Sequence, residues 1–574
     1  MELATAIVDG LVEAGVRELV LCPGSRSAPL AYAAWAAERQ GRLRLHVRVD
    51  ERSAGFLALG LGKVTRVPAA VITTSGTAVA NLHPAVLEAH HAGVPLVVVS
   101  ADRPSKLRGT GANQTTIQPG IFGVGVLRDE ADLAPGISPM DVAGHAHDAV
   151  AAARGWFSIQ SAAQAVGAGP VHLNVQFVPP LVPDADWLDA AIDAPETVES
   201  QQEAVLPAVE QHCADSRLTS HRPGADELPE RTLVVLGDLP DPSTPVHVLG
   251  WAGAHGFPVV AEPFGCHGND GAIPHGVLLL GDEPFLDAHA PQAVVVVGRP
   301  TLSRPVTALL QRGGHDIFLA SGGLEFAVIG RPTKAIEVAD LVHHAPARPD
   351  AAPRDFGMAW RAAGEKVAAT IDAAPPAWGS GPALARALVS SLPDDAVLFL
   401  GSSNGPRDLD LAVSDRPAGL LVVASRGLAG IDGCVSTAAG LALSTDRRTY
   451  ALMGDLTFLH DTNGLLIGPD EPRPDLTIVV ANDNGGGIFA TLEPGHEALA
   501  EPFERLFGTP TDTDIATLCR AHGVDHIVAD SADELAAEVG TPPRGIRVIE
   551  VSIDRTTHRA ERARLAALAA EALR

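Results

Sequence analysis

The sequence predicts an α/β protein of three domains, each built around a doubly wound parallel sheet. Two observations support this fold class. Short apolar runs recur along the chain, many of them ending in Gly, Ser, Asn or Asp, and Ala-rich segments of helical character separate them. Such alternation is typical of βα units and a parallel sheet. A chain of 574 residues is also too long for a single ordinary core.

Two changes in composition divide the chain. A polar stretch without strand signals spans about 190–230, and a Pro- and Ala-rich stretch spans 343–355. We therefore expect a first domain at residues 1–185, a central α/β domain at 186–350 with a polar linker at its start, and a third domain at 351–574. The predicted strands lie within 16–24, 67–77, 94–104 and 169–177 in the first domain, 231–238, 257–263, 277–282, 293–300 and 315–320 in the central domain, and 396–404, 419–427, 448–456, 476–484 and 546–554 in the third.

Composition excludes several classes of function. The formal net charge is −27, whereas nucleic-acid binding needs clustered Lys and Arg, so we expect small-molecule partners and no nucleic acid. The five cysteines are widely spaced and form no CxxC pair, which excludes a zinc ribbon and favours a reducing cytoplasm. The N-terminal pattern is an amphipathic helix rather than a secretory signal, and no run is long enough for membrane insertion.

Two polar clusters in the third domain follow predicted strands. MGDLTFLHD (453–461) contains Asp455, and NDNGGGIF (482–489) follows the apolar run LTIVVA. The separation of 28 positions between Asp455 and Asp483 suffices for a helix and a return strand. Both clusters would then lie side by side at the carboxyl ends of adjacent strands, where oxygen ligands suit Mg²⁺ and glycine N–H groups suit phosphate. For NDNGGGIF alone, a tight turn is the alternative.

This spacing resembles the thiamine-diphosphate binding motif of thiamine-dependent enzymes, whereas the chain has no P-loop and no convincing dinucleotide motif. The resemblance implies Mg²⁺, or Mn²⁺, held by Asp455, Asp483 and the Gly485 carbonyl. These enzymes commonly have Asn at the place that the following glycines align with Asp483, and Asn482 or Asn484 is the alternative ligand. The implied cofactor-binding residues are Glu51, Thr74, Gly76, Ser402, Ile431, Gly454, Asp455, Leu456, Thr457, Gly485, Gly486 and Ile488.

The same resemblance requires a carboxylate that meets the pyrimidine ring of thiamine diphosphate from the first domain of a partner subunit. Glu51 in HVRVDERSAGFLALGLG (46–62) is the candidate, because a predicted strand ends there and a helix begins. ITTSGTAVANLHPAVLEAH (72–90) resembles the region that packs beside the pyrimidine site. The alternative is that Asp50 and Glu51 only favour a helix N-terminus. The implied protein has a pyrimidine-binding first domain, a diphosphate-binding third domain, and a homodimer or dimer of dimers as its assembly.

Several motifs together resemble one family, the 2-succinyl-5-enolpyruvyl-6-hydroxy-3-cyclohexene-1-carboxylate synthases of menaquinone biosynthesis. They are CPGSRSAPL (22–30), SADRP (100–104), GANQT (111–115), SRGLAGIDGCVSTAAG (425–440) and NDNGGGIF (482–489). The resemblance implies a transferase that decarboxylates 2-oxoglutarate and adds the succinyl semialdehyde carbanion to isochorismate by conjugate (1,4) addition, with Glu51 as the catalytic residue. The alternatives are another thiamine-dependent 2-oxo acid decarboxylase or carboligase, and a non-catalytic cofactor-binding sensor.

Both implied substrates are dicarboxylates, which an acidic protein must bind through local arginines. Four arginines lie within the motif loops, and Arg304 of the central domain could reach the same pocket. For any single arginine a surface ion pair is the alternative, and Ile488 and Phe489 could equally be core residues at the start of a helix. The implied substrate-binding residues are Ser25, Arg26, Arg103, Gln114, Arg304, Ser403, Arg407, Arg426 and Phe489.

Overall fold

The computed structural model of the chain describes residues 1–155, 167–194, 228–266, 271–324, 326–343 and 355–574. It contains three sheets, of six, five and seven strands, with helices connecting successive strands. The predicted fold class, an α/β protein with doubly wound parallel sheets, is confirmed. Within the described ranges no helix is both long and apolar enough to cross a membrane.

The first sheet lies in the N-terminal part of the chain. Its strands are β1 (Glu18–Leu21), β2 (Arg44–Val47), β3 (Ala69–Thr73), β4 (Leu96–Asp102), β5 (Arg128–Leu133) and β6 (Pro170–Gln176). The accompanying helices are α1 (Glu2–Glu13), α2 (Ala28–Arg39), α3 (Glu51–Thr65), α4 (Thr77–Ala80), α5 (His83–Ala92), α6 (Pro139–Ala153) and α7 (Ala185–Asp193). The strand order is β2-β1-β3-β4-β6-β5 with parallel pairing throughout. Strands β3, β4 and β6 are buried along their whole length, as interior strands of a covered parallel sheet must be.

The central sheet follows. Its region contains β7 (Thr232–Leu236), β8 (Val259–Ala261), β9 (Gly265–Cys266), β10 (Ala293–Val297), β11 (Asp316–Ala320) and β12 (Lys334–Ala335). The helices are α8 (Thr244–His255), α9 (Gly276–Gly281), α10 (Glu283–Ala288), α11 (Arg304–Gln311) and α12 (Val338–His343). The strand order is β12-β11-β10-β7-β8, again with parallel pairing. Strand β9 does not pair in this sheet and belongs to the third sheet.

The predicted strand at 277–282 is wrong, because this stretch forms the helix α9. All side chains from Val277 to Leu280 are buried in the apolar cluster of the central sheet. A short run that is buried on all sides carries no polar–apolar periodicity. The sequence pattern alone therefore cannot separate a strand from a helix here.

The third sheet carries the polar clusters identified in the sequence. Its strands are β13 (Val397–Leu400), β14 (Leu421–Ala424), β15 (Thr449–Gly454), β16 (Leu476–Asn482), β17 (Asp525–Val528) and β18 (Ile546–Ser552). The helices are α13 (Asp355–Ala373), α14 (Gly381–Ser391), α15 (Asn404–Ala412), α16 (Cys434–Ser444), α17 (Asp455–His460), α18 (Ala500–Phe503), α19 (Ile515–Ala521), α20 (Ala532–Gly540) and α21 (His558–Leu573). The order is β17-β18-β16-β15-β13-β14-β9. The two-residue strand β9 pairs antiparallel with β14 at the edge of this otherwise parallel sheet.

The predicted linkers fall largely outside the described residues. Described positions stop at 194 and resume at 228, and the stretch 344–354 of the second linker is not described either. The domain boundaries stay predictions. Helices α13 and α21 bury Trp360, Val367 and Leu565 in the apolar cluster of the central sheet, so the third region packs closely against the central one.

Helices α3 and α16 join the first and third sheets through close-packed glycines. A Cβ at Gly60 of α3 would collide with the Thr437 carbonyl, and one at Gly433, which precedes α16, would collide with the Phe56 ring. The absence of side chains lets the two helix backbones approach closely. The side chains around this contact form one apolar cluster shared by both sheets. The packing fixes Glu51, at the start of α3, relative to the third sheet.

Candidate active site

Strands β15 and β16 are adjacent and parallel, with pairing from Thr449 opposite Leu476 to Gly454 opposite Ala481. Both strands therefore end at the same edge of the sheet. Helix α17 begins at Asp455 directly after β15, and Asp483 follows β16. The structure thus places the two polar clusters side by side, as expected from their spacing.

Asp455 is buried, and its Oδ1 has no hydrogen-bond partner among the described residues. Burial and the neighbouring Asp483 carboxylate raise the pKa of Asp455 to about 7, although the backbone N–H groups of Leu456 and Gly485 act against the shift. Two carboxylates this close repel each other unless a proton or a cation lies between them. The unpartnered oxygen and the paired carboxylates fit a divalent cation with oxygen ligands.

The described residues contain no group of three or more His, Cys, Asp or Glu side chains that could hold a metal. A cation at Asp455 and Asp483 would therefore complete its shell with backbone carbonyls, water or phosphate oxygens. This is the usual arrangement for Mg²⁺ at phosphate sites, because Mg²⁺ keeps several non-protein ligands.

The three polar residues at the end of β16, Asn482, Asp483 and Asn484, differ in their surroundings. Asn482 donates from Nδ2 to Glu550 Oε1 at 2.6 Å and accepts at Oδ1 from the Asn484 backbone N–H. Asn484 has a φ of 52° and donates from Nδ2 to Asp512 Oδ1 at 2.7 Å. Only Asp483 lines the cavity described below. These contacts favour Asp483 over either amide as the second metal ligand.

The next three residues, Gly485, Gly486 and Gly487, place backbone without side chains at the same edge of the third sheet. Gly485 has a φ of 144°, and a Cβ there would collide with the Gly508 carbonyl. The Gly486 N–H donates to that carbonyl at 2.7 Å. A Cβ at Gly487 would collide with the Asp483 carboxylate. Only glycine fits these positions, and the resulting wall of backbone suits close approach by a diphosphate.

A cavity of about 590 Å³ lies at this edge of the third sheet. Its walls come mainly from the segments after β13, β14, β15 and β16. It brings together every residue predicted from the third domain except the alternatives Asn482 and Asn484. The predicted residues that line it are Ser402, Ser403, Arg407, Arg426, Ile431, Gly454, Asp455, Leu456, Thr457, Asp483, Gly485, Gly486, Ile488 and Phe489.

Two of the predicted arginines face this cavity. Arg407 donates from Nη1 to the Ser403 carbonyl at 2.6 Å, and its pKa is lowered by burial and by the positive charges of Arg426 and Arg562. Arg426 is buried and donates from Nη2 to Thr301 Oγ1 at 2.7 Å. Guanidinium groups held close together in a partly apolar cavity are suited to bind carboxylates.

A second cluster forms at the carboxyl ends of β3 and β4. Arg103 donates from Nη1 to Ser75 Oγ at 2.5 Å and to the Gln114 carbonyl at 2.7 Å. Burial and the positive charge of Arg103 lower the pKa of Arg26. Gly24 packs directly on Thr74, which brings the loop after β1 into the cluster. The predicted residues in this region are Ser25, Arg26, Thr74, Gly76, Arg103 and Gln114.

Glu51 occupies the first position of α3. The preceding Asp50 caps the helix by accepting from the Ser53 N–H at 3.2 Å, and Asn81 Nδ2 lies 3.5 Å from Glu51 Oε2. Neither Glu51 nor the second cluster lines the third-sheet cavity of the same chain. Arg304 lies outside it as well.

Arg304 begins α11, with a side chain that is 69% exposed. It pairs with Glu493 at 2.8 Å, and the Glu493 side chain is also exposed. This is the surface ion pair that the sequence left open as an alternative. Such pairs contribute little to stability.

Sequence reasoning missed several residues at the cavity. Arg299, Asn404, Asp408 and His558 line it, and Arg562 of α21 donates to Asn404 Oδ1 at 2.8 Å and pairs with Asp408 at 3.2 Å. Arg299 lies two residues after β10 in VVVVGRP, and the same strand-end criterion that found the other arginines could have found it. The terminal helix carries no motif, so no sequence signal pointed to its residues.

Comparison with known proteins defines the class. Residues 1–121 match the family described as thiamine pyrophosphate enzyme, N-terminal TPP binding domain. The fold is similar to that of a thiamine diphosphate-dependent 4-hydroxybenzoylformate decarboxylase from Rhodococcus jostii RHA1, with a TM-score of 0.66 over 96% of this chain and 99% of that chain. At 16% identity this likeness concerns the fold alone. The matching domain and the fold both point to the thiamine-diphosphate-dependent enzymes, and the full-length relatives establish the class.

Full-length relatives define the family. The chain is 44% identical to the 2-succinyl-5-enolpyruvyl-6-hydroxy-3-cyclohexene-1-carboxylate synthase of Saccharopolyspora erythraea, over 99% of this chain and 98% of the relative. It is 46% identical to the synthase of the same name from a Nocardioides species, over 97% and 95%. The chain belongs to the 2-succinyl-5-enolpyruvyl-6-hydroxy-3-cyclohexene-1-carboxylate synthase family. The predicted enzyme class and the thiamine diphosphate cofactor are thereby confirmed.

Proposed function

We propose that the chain decarboxylates 2-oxoglutarate with thiamine diphosphate and joins the succinyl semialdehyde unit to isochorismate by conjugate (1,4) addition, in menaquinone biosynthesis. The product is 2-succinyl-5-enolpyruvyl-6-hydroxy-3-cyclohexene-1-carboxylate. The observation that carries the proposal is the identity of 44–46% with synthases of this product over nearly the whole chain. The cytoplasm remains the expected location.

Asp455 and Asp483 would hold Mg²⁺, or Mn²⁺, with the Gly485 carbonyl as a further ligand. The unpartnered Oδ1 of Asp455 and the mutual repulsion of the two carboxylates support this role. The backbone of Gly485 and Gly486 and the start of α17 would bind the diphosphate through N–H groups, because the glycines carry no side chain of their own. Thiamine diphosphate, when bound, supplies a thiazolium that takes up the electron pair released as a 2-oxo acid loses CO₂.

The cavity of one chain would be completed by the first domain of a second copy. Glu51 and the cluster around Arg103 carry the predicted pyrimidine and substrate residues, yet they lie outside the third-sheet cavity of their own chain. A homodimer, or a dimer of dimers, would bring Glu51 of one copy to the cavity of the other. In that position Glu51 would hydrogen-bond the pyrimidine ring.

The arginines would bind the substrate carboxylates. Arg407 and Arg426 face the cavity, and Arg26 and Arg103 would approach from the second copy. The apolar side chains of Ile488 and Phe489 line the cavity and would exclude water from the reacting groups. Arg304 would first have to release Glu493, with which its exposed side chain pairs.

The direct test is incubation of the purified protein with thiamine diphosphate, Mg²⁺, 2-oxoglutarate and isochorismate. Mass spectrometry follows the adduct, and CO₂ release is measured in parallel. We expect an isochorismate-dependent adduct that retains the succinyl semialdehyde unit. Release of CO₂ without the adduct would indicate a different carboligase or decarboxylase, and cofactor binding with neither signal would indicate a non-catalytic sensor.

A further inference from the structure

We infer that Glu88 and Arg299 are positioning residues that hold the cavity loop 426–428 from two other parts of the chain. The hydrogen bonds themselves are independent of the proposed function. Their consequence for catalysis rests on it, since Arg426 of this loop is proposed to bind a substrate carboxylate.

Glu88 lies on α5 of the first region and is only 4% exposed. Its two carboxylate oxygens accept from consecutive backbone groups of the loop. The Gly427 N–H donates to Oε1 and the Leu428 N–H donates to Oε2, each at 2.7 Å. A carboxylate that accepts two neighbouring N–H groups fixes both the position and the direction of the backbone.

Arg299 holds the same loop through its carbonyl groups. This side chain follows β10 of the central sheet and is 6% exposed. Its Nη2 donates to the carbonyls of Arg426 and Gly427, the latter at 3.0 Å. The polar backbone groups of the loop are thus satisfied by one acidic and one basic side chain from different regions.

Gly427 lies so close to Glu88 that no side chain would fit between them. A Cβ at this position would lie 2.5 Å from the Glu88 carbonyl and 2.7 Å from its carboxylate. Helix α5 therefore packs directly on the loop backbone. Only glycine permits this close approach.

The charges around the loop balance each other. Burial raises the pKa of Glu88, whereas the positive charge of Lys63 and the two loop N–H groups lower it. The buried Asp238 faces Lys63, Arg299 and Arg426. A buried carboxylate without such partners would be strongly unfavourable, so removing Glu88 would also leave nearby cations less compensated.

The loop in turn determines where the Arg426 guanidinium lies. That group is held by Thr301 Oγ1 at 2.7 Å and lies 5.7 Å from the centre of the Phe264 ring. With its backbone fixed by Arg299 and the next two residues fixed by Glu88, Arg426 is preorganised for a carboxylate. Helix α5 begins only a few residues after Gly76 of the first-domain cluster. If each active site is formed by two copies, one chain contributes its cavity to one site and its first-domain cluster to the other. Helix α5 then contacts the cavity loop of the first site and follows the cluster of the second.

Glu88→Gln tests the inference, because it preserves shape but points an NH₂ group at one of the two loop N–H groups. Hydrogen–deuterium exchange of peptides covering 420–432 is measured together with kcat, the KM for 2-oxoglutarate and the affinity for thiamine diphosphate. We expect exchange at the loop and the KM each to rise about tenfold or more, since one of the two loop hydrogen bonds is lost and its N–H group then faces another N–H group. The cofactor affinity should change less than about twofold, because the diphosphate segment lies elsewhere in the cavity.

Glu38→Gln is the matched control. Glu38 also accepts a backbone N–H within the first region, from Leu45 at 2.9 Å, but lies away from the cavity. It should leave loop exchange and the KM unchanged. If Glu88→Gln does not fold, Arg299→Lys is measured in the same way.

Unchanged loop exchange in the Glu88 variant would overturn the inference, as would a lower melting temperature with an unchanged KM. If the wild-type protein makes no adduct, the proposed function fails, but the exchange measurement still decides whether Glu88 holds the loop.

Discussion

The Nε2 atom of His558 lies 2.8 Å from Oδ2 of Asp483, and both residues line the cavity. His558 is buried at the start of α21. A ring N–H directed at a carboxylate fixes the orientation of that carboxylate. Outer partners of this kind commonly tune the affinity of a metal ligand.

Replacing His558 should therefore weaken the binding of the divalent cation. We expect His558→Leu to lower the affinity for Mn²⁺, measured by electron paramagnetic resonance with thiamine diphosphate present, by about 10- to 100-fold. His526→Gln is the control, since His526 pairs with Glu550 at 2.8 Å and neither residue lines the cavity. Equal Mn²⁺ affinity in the His558 variant and the wild type would show that the imidazole does not support the metal ligand.

Arg426→Gln should affect substrate binding more than cofactor binding. The variant keeps a polar side chain but loses the guanidinium that faces the cavity, so the KM for 2-oxoglutarate should rise about tenfold or more. Thiamine diphosphate affinity, measured by fluorescence quenching, should stay close to that of the wild type. Arg312→Gln removes an exposed ion pair with Asp287 and serves as the control. A KM that stays at the wild-type value would contradict the role of Arg426.

Glu262 should make stability depend on pH. Burial, with smaller contributions from Asp410 and Asp238, raises its pKa from the ordinary value of 4.5 to about 8, although the Leu302 N–H and Arg426 act in the opposite direction. Between these values the folded protein retains a proton that the unfolded chain has released. The free energy of unfolding contributed by this group therefore falls as the pH rises from 4.5 to about 8.

Glu262→Gln removes that titration. Relative to the wild type, the variant should gain melting temperature at alkaline pH and gain less, or nothing, at acidic pH. Differential scanning fluorimetry across this range measures the difference, with Glu501→Gln at an exposed position as the control. A difference between variant and wild type that does not change with pH would refute the assignment.

Gly60→Ala should destabilise the contact between α3 and α16. The new methyl group would collide with the Thr437 carbonyl, and backbone cannot move aside as a flexible side chain could. We expect a loss of about 1–3 kcal/mol in the free energy of unfolding by urea denaturation. Gly253→Ala in α8, where a Cβ meets nothing within 4 Å, should instead be neutral or stabilise by about 0.5–1 kcal/mol. Equal effects of the two substitutions would argue against close packing at Gly60.

The parts of the site that follow from strand order were predictable from the sequence. Asp455 and Asp483 each follow an apolar run, and parallel strands bring such positions to one edge. The contacts of Glu88 with the loop 426–428 and of His558 with Asp483 were not predictable, because each joins a helix to a segment that is distant in the sequence. The helix α9 was mistaken for a strand, since an apolar run that is buried on all sides shows no alternation of polar and apolar residues.

Glu51 lies outside the third-sheet cavity of its own chain. An active site that contains both Glu51 and Asp455 must therefore be formed by two copies of the chain, and mixed dimers test this most directly. Glu51→Gln and Asp455→Asn are each expected to abolish most turnover when tested alone, with thiamine diphosphate binding retained in the first. Mixed dimers of the two variants contain one site with both residues intact if sites are shared between copies. After random reassembly of equal amounts, adduct formation should therefore return to about a quarter of the wild-type rate. No recovery in dimers shown by mass spectrometry to be mixed would mean that Glu51 and Asp455 act within one chain, and would contradict the account.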